Sequence, residues 1–429
     1  MVITLFSGFL VLMLIGVPIA FAIGLATLVP VVFDGRIPFT LVISKMFGGM
    51  DSFPLMAIPF FVLTGSLAGA CHLTDRITAL AAFLVGGMRA GLAHVNVVAA
   101  MLFGGITGSA VAETAALGSL LIPSMVRRGY PAGYAAGLTA CAGCIGALIP
   151  PSVLMIIYGF LTGVSTGKLF LGGAIPGVLV GSALMLVAYV IAVRRGFGRN
   201  EDATPRTLRG FAAVLRESGP ALSIPVIIIG GIIAGVFTPT EAGVIAVATV
   251  LLLGTFVYGG FTVKKLKDAF LSAALTTSMV MLILATSTVF ANLLTRARFQ
   301  SQLVALLGSI TPVPEFQLLL ILAFLLLLGC FIDATAILIM FAAPLFAVGA
   351  QLGYDPVHFG VAIVMCCLLG GVTPPVGTML FIGAGIAKIS LSEASRGILP
   401  FVTALIVVLL LVALIPPLAT WLPTLAFGR

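Results

Sequence analysis

Charge is scarce in this chain. Its 429 residues hold 13 Asp and Glu and 21 Lys and Arg, or 8%, where a soluble domain carries about 25%. That deficit excludes an ordinary water-facing globular protein. Histidine is nearly absent too, with three residues, His72, His94 and His358. They are scattered, with no H-E-x-x-H spacing, and are expected at the membrane interface. There is no G-x-S-x-G, G-x-G-x-x-G or G-x-x-x-x-G-K-[ST], so the sequence offers no catalytic pairing and no nucleotide site. The net charge of +8 is spread between apolar runs rather than gathered in a patch, and so reports topology, not nucleic acid. The first apolar run lacks the basic flank and A-x-A site of a cleavable signal peptide. Of the six cysteines, Cys141 and Cys144 have C-x-x-C spacing but lie in an apolar run, where they read as small packing residues. The single tryptophan, Trp421, reads as an interface anchor.

Apolar residues make up 61% of the chain, in runs long enough to span a bilayer. The fold class that follows is an all-α polytopic membrane protein, since a β-barrel would show short alternating segments. Four places interrupt the apolar runs with Gly, Ser, Thr and Pro: 104–109, 146–152, 329–335 and 370–377. Non-helical backbone at membrane depth is tolerated only where it is buried in protein or lines an aqueous cavity. The breaks also repeat. Gly129-Tyr130, Pro150-Pro151 and Pro176 match Gly353-Tyr354, Pro374-Pro375 and Pro400 at one constant offset, and a slightly shorter offset pairs Thr114 with Thr335 and Pro123 with Pro344.

The chain therefore divides into a first repeat, 1–193, a polar linker, 194–218, and a second repeat, 219–429. Each repeat should hold a re-entrant hairpin (about 96–125 and 318–347) and a broken helix (about 131–160 and 357–385). Residues 3–33 exceed one span and are expected as two short helices bent at Gly16 and Pro18. Residues 37–50 are expected as an interfacial arm, with 261–268 as its counterpart. Spans follow at 53–71 and 273–294, amphipathic connectors at 75–93 and 296–312, and closing spans at 169–193 and 394–420. The linker carries Arg194, Arg195, Arg199, Arg206, Arg209 and Arg216, which places it in the cytoplasm. Threading outward puts Arg127 and Arg128 inside and the uncharged-to-acidic turn 351–355 outside. The repeats are then inverted, with both termini outside and the hairpin tips meeting at the midplane.

Backbone carbonyls freed at helix breaks can ligate a cation without burying a charge, and half-helix N-termini favour an anion. Glu113, Glu241 and Asp333 are the acidic residues near or within apolar segments. Asp333 lies in the second tip and reads as an ion-side or substrate-side group. Glu113 reads either as such a group or as a cap, and Glu241, after Thr-Pro-Thr, as a cap.

The motifs GVPIAFAIG, GGITGSAVAET with IPSM at its exit, GALIPPS, GVFTPTEAG and GGVTPPVG together resemble the large membrane subunit of tripartite ATP-independent periplasmic (TRAP) transporters, across essentially the whole chain. The resemblance implies an elevator-type fold of the ion transporter superfamily, with a scaffold and a moving transport domain. It implies sodium-coupled uptake (Na+ as the coupling ion) of small organic anions such as C4-dicarboxylates or sialic acids, in a bacterial inner membrane. It also implies two partners, a small four-helix membrane (Q) subunit and a periplasmic substrate-binding (P) protein. Carried over by motif, one sodium site falls on Gly105, Ser109, Gly146 and Pro150 and a second on Gly329, Asp333, Gly371 and Thr373. Substrate contacts fall on Ser109, Ser152, Asp333 and Thr335. The family often has Asp where this chain has Glu113, and Ser where it has Ala110. The competing reading is a stand-alone sodium/anion symporter of the same superfamily, which would need no binding protein.

The arginine-rich linker and the turn without Lys or Arg give a topology test. In a background without native cysteines, Thr204→Cys and Gln351→Cys are expected to react with an impermeant thiol reagent from opposite faces of the membrane. Labelling of both from one face contradicts the inverted arrangement.

Overall fold

The computed structural model describes residues 1–34, 38–198 and 207–428, and all regular structure among them is helical. Helices α1 (Val2–Leu14) and α2 (Ile19–Asp34) are separated at 15–18, where Gly16 takes a φ of +87° and Pro18 removes a donor. Next come α3 (Phe39–Met50), α4 (Ala57–Ala70) after a 3₁₀ turn at 53–56, and α5 (Leu73–Val85). The first tip joins α6 (Gly91–Thr107) to α7 (Ala110–Arg127), and the first broken helix is α8 (Ala132–Gly146) with α9 (Val153–Thr162). Helix α10 (Thr166–Arg195) closes the first half.

The second half runs α11 (Leu208–Ile233), α12 (Pro239–Leu252), α13 (Val263–Arg296) and α14 (Phe299–Ile310). Its tip joins α15 (Pro314–Gly329) to α16 (Ala334–Gln351), and its broken helix is α17 (Pro356–Gly370) with α18 (Thr378–Ala387). Helices α19 (Leu391–Leu414) and α20 (Pro417–Phe427) end the described chain. Among the described residues, seven helices are long and apolar enough to cross a membrane, or eight counting α14 and α15, which meet at a 117° bend, as one bent span. The protein is thus an all-helical, multi-pass membrane protein.

Three boundaries differ from the sequence reading, each for a local reason. The arm expected at 261–268 and the span at 273–294 are one 34-residue helix, α13, because no Gly or Pro interrupts 263–296. The first half has Gly48, Gly49 and Pro54 at the matching place, and there the chain breaks. The polar linker is helical from Leu208, capped by Thr207, whose hydroxyl accepts from Gly210 N–H at 3.0 Å. Its residues 199–206 lie outside the described residues. The closing span breaks at Ile415, before Pro416, so that α20 carries an exposed Trp421.

Helix α11 is pinned to the first half by a polar cluster at Glu217 and Ser218, nearly three turns into the helix. Arg76 pairs with Glu217, Ser218 Oγ donates to the Arg76 carbonyl at 2.8 Å, and Tyr258 Oη donates to the Glu217 carbonyl at 3.0 Å. His94 and His358 are buried within the protein. His358 Nε2 lies 2.8 Å from the Val412 carbonyl and His94 stacks on Tyr189, while His72 is exposed beside Asp75. Glu241 forms a capping box with Thr238, as its position after Thr-Pro-Thr suggests.

In each half a hairpin arm crosses its broken helix glycine on glycine. Gly104 lies against Gly146, and Gly329 against Gly370. A Cβ on Gly370 would sit 2.5 Å from Gly329 Cα, a distance only a backbone shift can relieve. In lipid, helices associate through close packing of small residues rather than by the hydrophobic effect. The expected outcome for Gly370→Ala is destabilisation by about 1–3 kcal/mol, the usual cost of overpacking. Gly69→Ala, on α4 with nothing within 4 Å, is the control. It should be neutral or stabilising by up to about 1 kcal/mol, because Ala favours helix. Thermal midpoints in one detergent compare the two.

Candidate functional site

Both tips face one cavity of about 580 Å³. Its lining includes Thr107, Ser109, Asp333 and Thr335 from the hairpins, Val153 and Thr378 from the broken helices, and a wall of α4 and α13 residues. The elements arrive with a consistent polarity. Four helices present their first residues to the cavity: α7 at Ala110, α9 at Val153, α16 at Ala334 and α18 at Thr378. No Lys or Arg is among the lining residues, so the positive potential comes from helix N-termini.

Side chains of the breaks hold those N-termini in place. Ser109 is the cap of α7, accepting from Ala112 N–H at 3.4 Å. Asp333 is the cap of α16, its Oδ1 accepting from Thr335 N–H at 2.9 Å. Tip and broken helix are tied by backbone bonds in both halves. Val153 N–H donates to the Gly108 carbonyl at 3.1 Å, and Val376 N–H donates to the Cys330 carbonyl at 3.3 Å. Gly108 is required at its place: φ is +61°, and a Cβ would lie 2.6 Å from the Pro151 carbonyl oxygen.

Of the residues anticipated for substrate, Ser109, Asp333 and Thr335 line the cavity. Ser152 does not. It is fully buried, donating to the Ala147 carbonyl at 2.5 Å and accepting from Met155 N–H at 3.3 Å as the cap of α9. Of the residues anticipated for the first ion, Ser109 lines the cavity, and Gly105, Gly146 and Pro150 are not among its lining residues. Gly146 meets Gly104, and Gly105 packs against Pro225 and near the Pro150 carbonyl. On the second side Gly329 meets Gly370, Gly371 packs against Met379, and Thr373 Oγ1 donates to the Leu369 carbonyl at 2.7 Å. Both prolyl bonds, Pro150-Pro151 and Pro374-Pro375, are cis.

Three groups were unassigned or ambiguous in the sequence. Glu113 is fully buried, and neither carboxylate oxygen has a hydrogen-bond partner among the described residues. It is not the cap of α7, which is Ser109. Its Oε2 fills the space that a side chain on Gly146 would take, beside Gly104. Thr107 Oγ1 and Thr378 Oγ1, one in each half, are also buried and unpartnered. A buried carboxylate without a partner costs several kcal/mol or more. The C-terminal ends of α6 and α8 converge on the same place and add negative potential. Oxygen donors of this kind suit a hard cation rather than a soft, thiolate-seeking metal. No cluster of three or more His, Cys, Asp or Glu occurs among the described residues. The sequence signal for Glu113 was an acid within the first turn after a tip. Thr107 and Thr378 gave none beyond adjacency to a break.

Comparisons with known proteins place the chain among similar ones. The family model described as "Tripartite ATP-independent periplasmic transporter, DctM component" matches residues 6–418. The sialic acid TRAP transporter large permease protein SiaM of Vibrio cholerae is 39% identical over 421 residues, covering 98% of this chain and 98% of its own. The C4-dicarboxylate TRAP transporter large permease protein DctM of the same organism is 34% identical, covering 97% and 96%. The isethionate TRAP transporter permease protein DctMQ of Oleidesulfovibrio alaskensis is 37% identical over 96% of this chain, which spans 65% of that relative. In fold, the chain is similar to the crystal structure of the Alcanivorax borkumensis YdaH transporter, with a TM-score of 0.63 at 15% identity over 88% of this chain and 87% of that one.

The capping geometry of Asp333 is open to a stability test. Asn caps as well as Asp, whereas Ala removes the acceptor. Asp333→Asn is expected to leave the thermal midpoint of the purified protein nearly unchanged, and Asp333→Ala to cost about 0.5–2 kcal/mol. Equal losses in both would mean that the charge, not the cap, is what the fold needs.

Proposed function

The chain belongs to the DctM family of tripartite ATP-independent periplasmic transporters, and from that premise we propose that it carries out sodium-coupled uptake of small organic anions by an elevator motion. It is not an enzyme. The observation that carries this reading is the cavity, to which four helices present their N-termini and whose lining includes the unpartnered hydroxyls of Thr107 and Thr378. A sialic acid or C4-dicarboxylate type of substrate accords with the relatives' names. The proposed setting is the bacterial inner membrane, with inverted repeats about the cavity.

In this reading the carboxylate of the substrate lies toward the N–H groups at the starts of α7 and α16, with the Ser109 and Thr335 hydroxyls donating to it. Sodium bound behind each tip supplies positive charge that offsets Glu113, Asp333 and the helix C-terminal carbonyls. Glu113 and Thr107 would contribute on the first side. Asp333, Thr373 and Thr378 would contribute on the second. With these carbonyl ends neutralised, the tips hold the helix N-termini in position for the anion, and substrate affinity then depends on the coupling ion. The glycine crossings keep each hairpin fixed to its broken helix, so that tips and cavity travel as one body past α4 and α13.

The system also requires delivery. The match to this chain spans 65% of the isethionate relative named DctMQ, so that relative carries further sequence outside the matched part. We assign the same requirement here to a small membrane subunit, together with a periplasmic binding protein. The stand-alone symporter is the weaker reading, because the relatives named are TRAP permeases.

Proteoliposomes holding the chain with its partner subunit and binding protein provide the test, with radiolabelled sialic acid and succinate as probes. Accumulation is expected only with an inward sodium gradient, and equal uptake with choline in place of sodium would overturn the proposal. Asp333→Asn and Glu113→Gln are expected to raise the sodium concentration giving half-maximal uptake by about tenfold each. That corresponds to roughly one charge-assisted contact of about 1.5 kcal/mol. An unchanged sodium response returns the residue to a structural role.

A further inference from the structure

A second cavity, of about 500 Å³, lies where α1, α14 and the second hairpin meet. Every residue lining it is apolar. Its floor is buried: Phe9, Leu307, Ile321, Ile332, Met340 and Phe341. Its mouth is exposed at Leu10, Leu306, Leu320 and Phe324. Phe6 holds the floor together, with its ring 5.6 Å from Phe290, 5.8 Å from Phe299 and 5.9 Å from Phe341. The α14 side chains facing the cleft, Phe299, Leu303, Leu306 and Leu307, are spaced as one helical stripe. That stripe spans about 12 Å at 1.5 Å per residue, an elongated rather than round space.

The N-terminal end of α14 is cationic. Arg296 ends α13 and Arg298 is the residue before Phe299, and both are exposed. Arg296 Nε donates to Asn292 Oδ1 at 3.2 Å. Neither arginine has an acidic partner, since the ion pairs among the described residues are His72–Asp75 and Arg76–Glu217. The first N–H groups of the 12-residue α14 add to the same positive end. An apolar slot with an exposed mouth, beside two arginines that lack an acidic partner and a helix N-terminus, matches one chemistry, an acyl chain joined to a phosphodiester.

We propose that this cleft is a phospholipid site: one acyl chain lies along α14 between α1 and the second hairpin, and Arg296 and Arg298 hold the phosphate. The site is distinct from the transport cavity, yet close to it. Ile332 in its floor is the neighbour of Asp333 in the tip. A lipid seated there fills the gap between the first helix and the hairpin, so that its presence bears on how far the second tip can move.

The test uses the full chain in detergent and phosphatidylglycerol with a diazirine in one acyl chain. Cross-links are expected on peptides containing Phe299–Leu307 and Phe324. They should saturate with probe and be displaced by unlabelled phosphatidylglycerol, but not by diacylglycerol. Leu303→Trp, which fills the slot, should cut these cross-links at least tenfold. Leu306→Trp, at the exposed mouth, serves the same purpose where the first variant fails to fold. Arg296→Gln with Arg298→Gln should raise half-saturation about tenfold, the loss of one or so charge-assisted contacts. Non-saturating labelling that is equal in wild type and in both Trp variants means bulk lipid and overturns the proposal. Loss of labelling when the small membrane subunit is added means that protein, not lipid, covers the cleft, and overturns it too.

Discussion

The fold depends on one constraint, that a helix cut short inside a membrane must have something to meet its ends. Hydrocarbon offers no partners for free N–H and C=O groups. Here the ends are made to meet one another. Gly104 on Gly146 and Gly329 on Gly370 bring two helix C-termini together in each half. The chain then turns through a capped break and starts new helices at the cavity wall. Four helix starts face the cavity, and the C-terminal ends of α6, α8, α15 and α17 meet at the glycine crossings beside it. Any side chain larger than glycine at these crossings would separate the helix ends.

Much of this was legible in the sequence because breaks are chemically conspicuous. Gly, Ser, Thr and Pro in an apolar run have few uses, and the four interruptions at 104–109, 146–152, 329–335 and 370–377 mark the tips and broken helices. Regular helix is less legible. The merger of an expected arm and span into α13 left no mark other than the missing Gly and Pro. Side-chain direction was not legible. Ser109 and Ser152 both follow a break and both cap a helix, yet only Ser109 lines the cavity, because Ser152 turns its hydroxyl to the Ala147 carbonyl. Glu113 looked like a cap or a ligand, and only its three-dimensional position beside Gly146 shows that it has no backbone partner. The apolar cleft at α1 and α14 joins segments almost three hundred residues apart, and no local pattern announces it.

The two kinds of polar residue have different jobs. Caps such as Ser109, Ser152 and Thr207 have their hydrogen bonds made and serve the fold. Orphans such as Thr107, Glu113 and Thr378 have theirs unmade among the described residues. Buried polar groups in native structures are mostly paired, and an unpaired one asks for an explanation. In the proposed mechanism these orphans are the places where the protein is incomplete without an ion, so that binding and internal electrostatics become one event.

The absence of Lys and Arg from the cavity bears on how this protein can change its diet. An arginine that grips a carboxylate also fixes where it sits and how many oxygens it must have. Backbone N–H groups at helix starts attract negative charge without dictating the rest of the molecule. Shape discrimination is left to the opposite wall, where Ser66, Ser272, Thr276 and Met279 stand on intact helices. Those positions can be exchanged without disturbing a cap or a crossing. In the proposed elevator mechanism, new substrates can therefore be acquired on the stationary wall while the travelling half stays as it is.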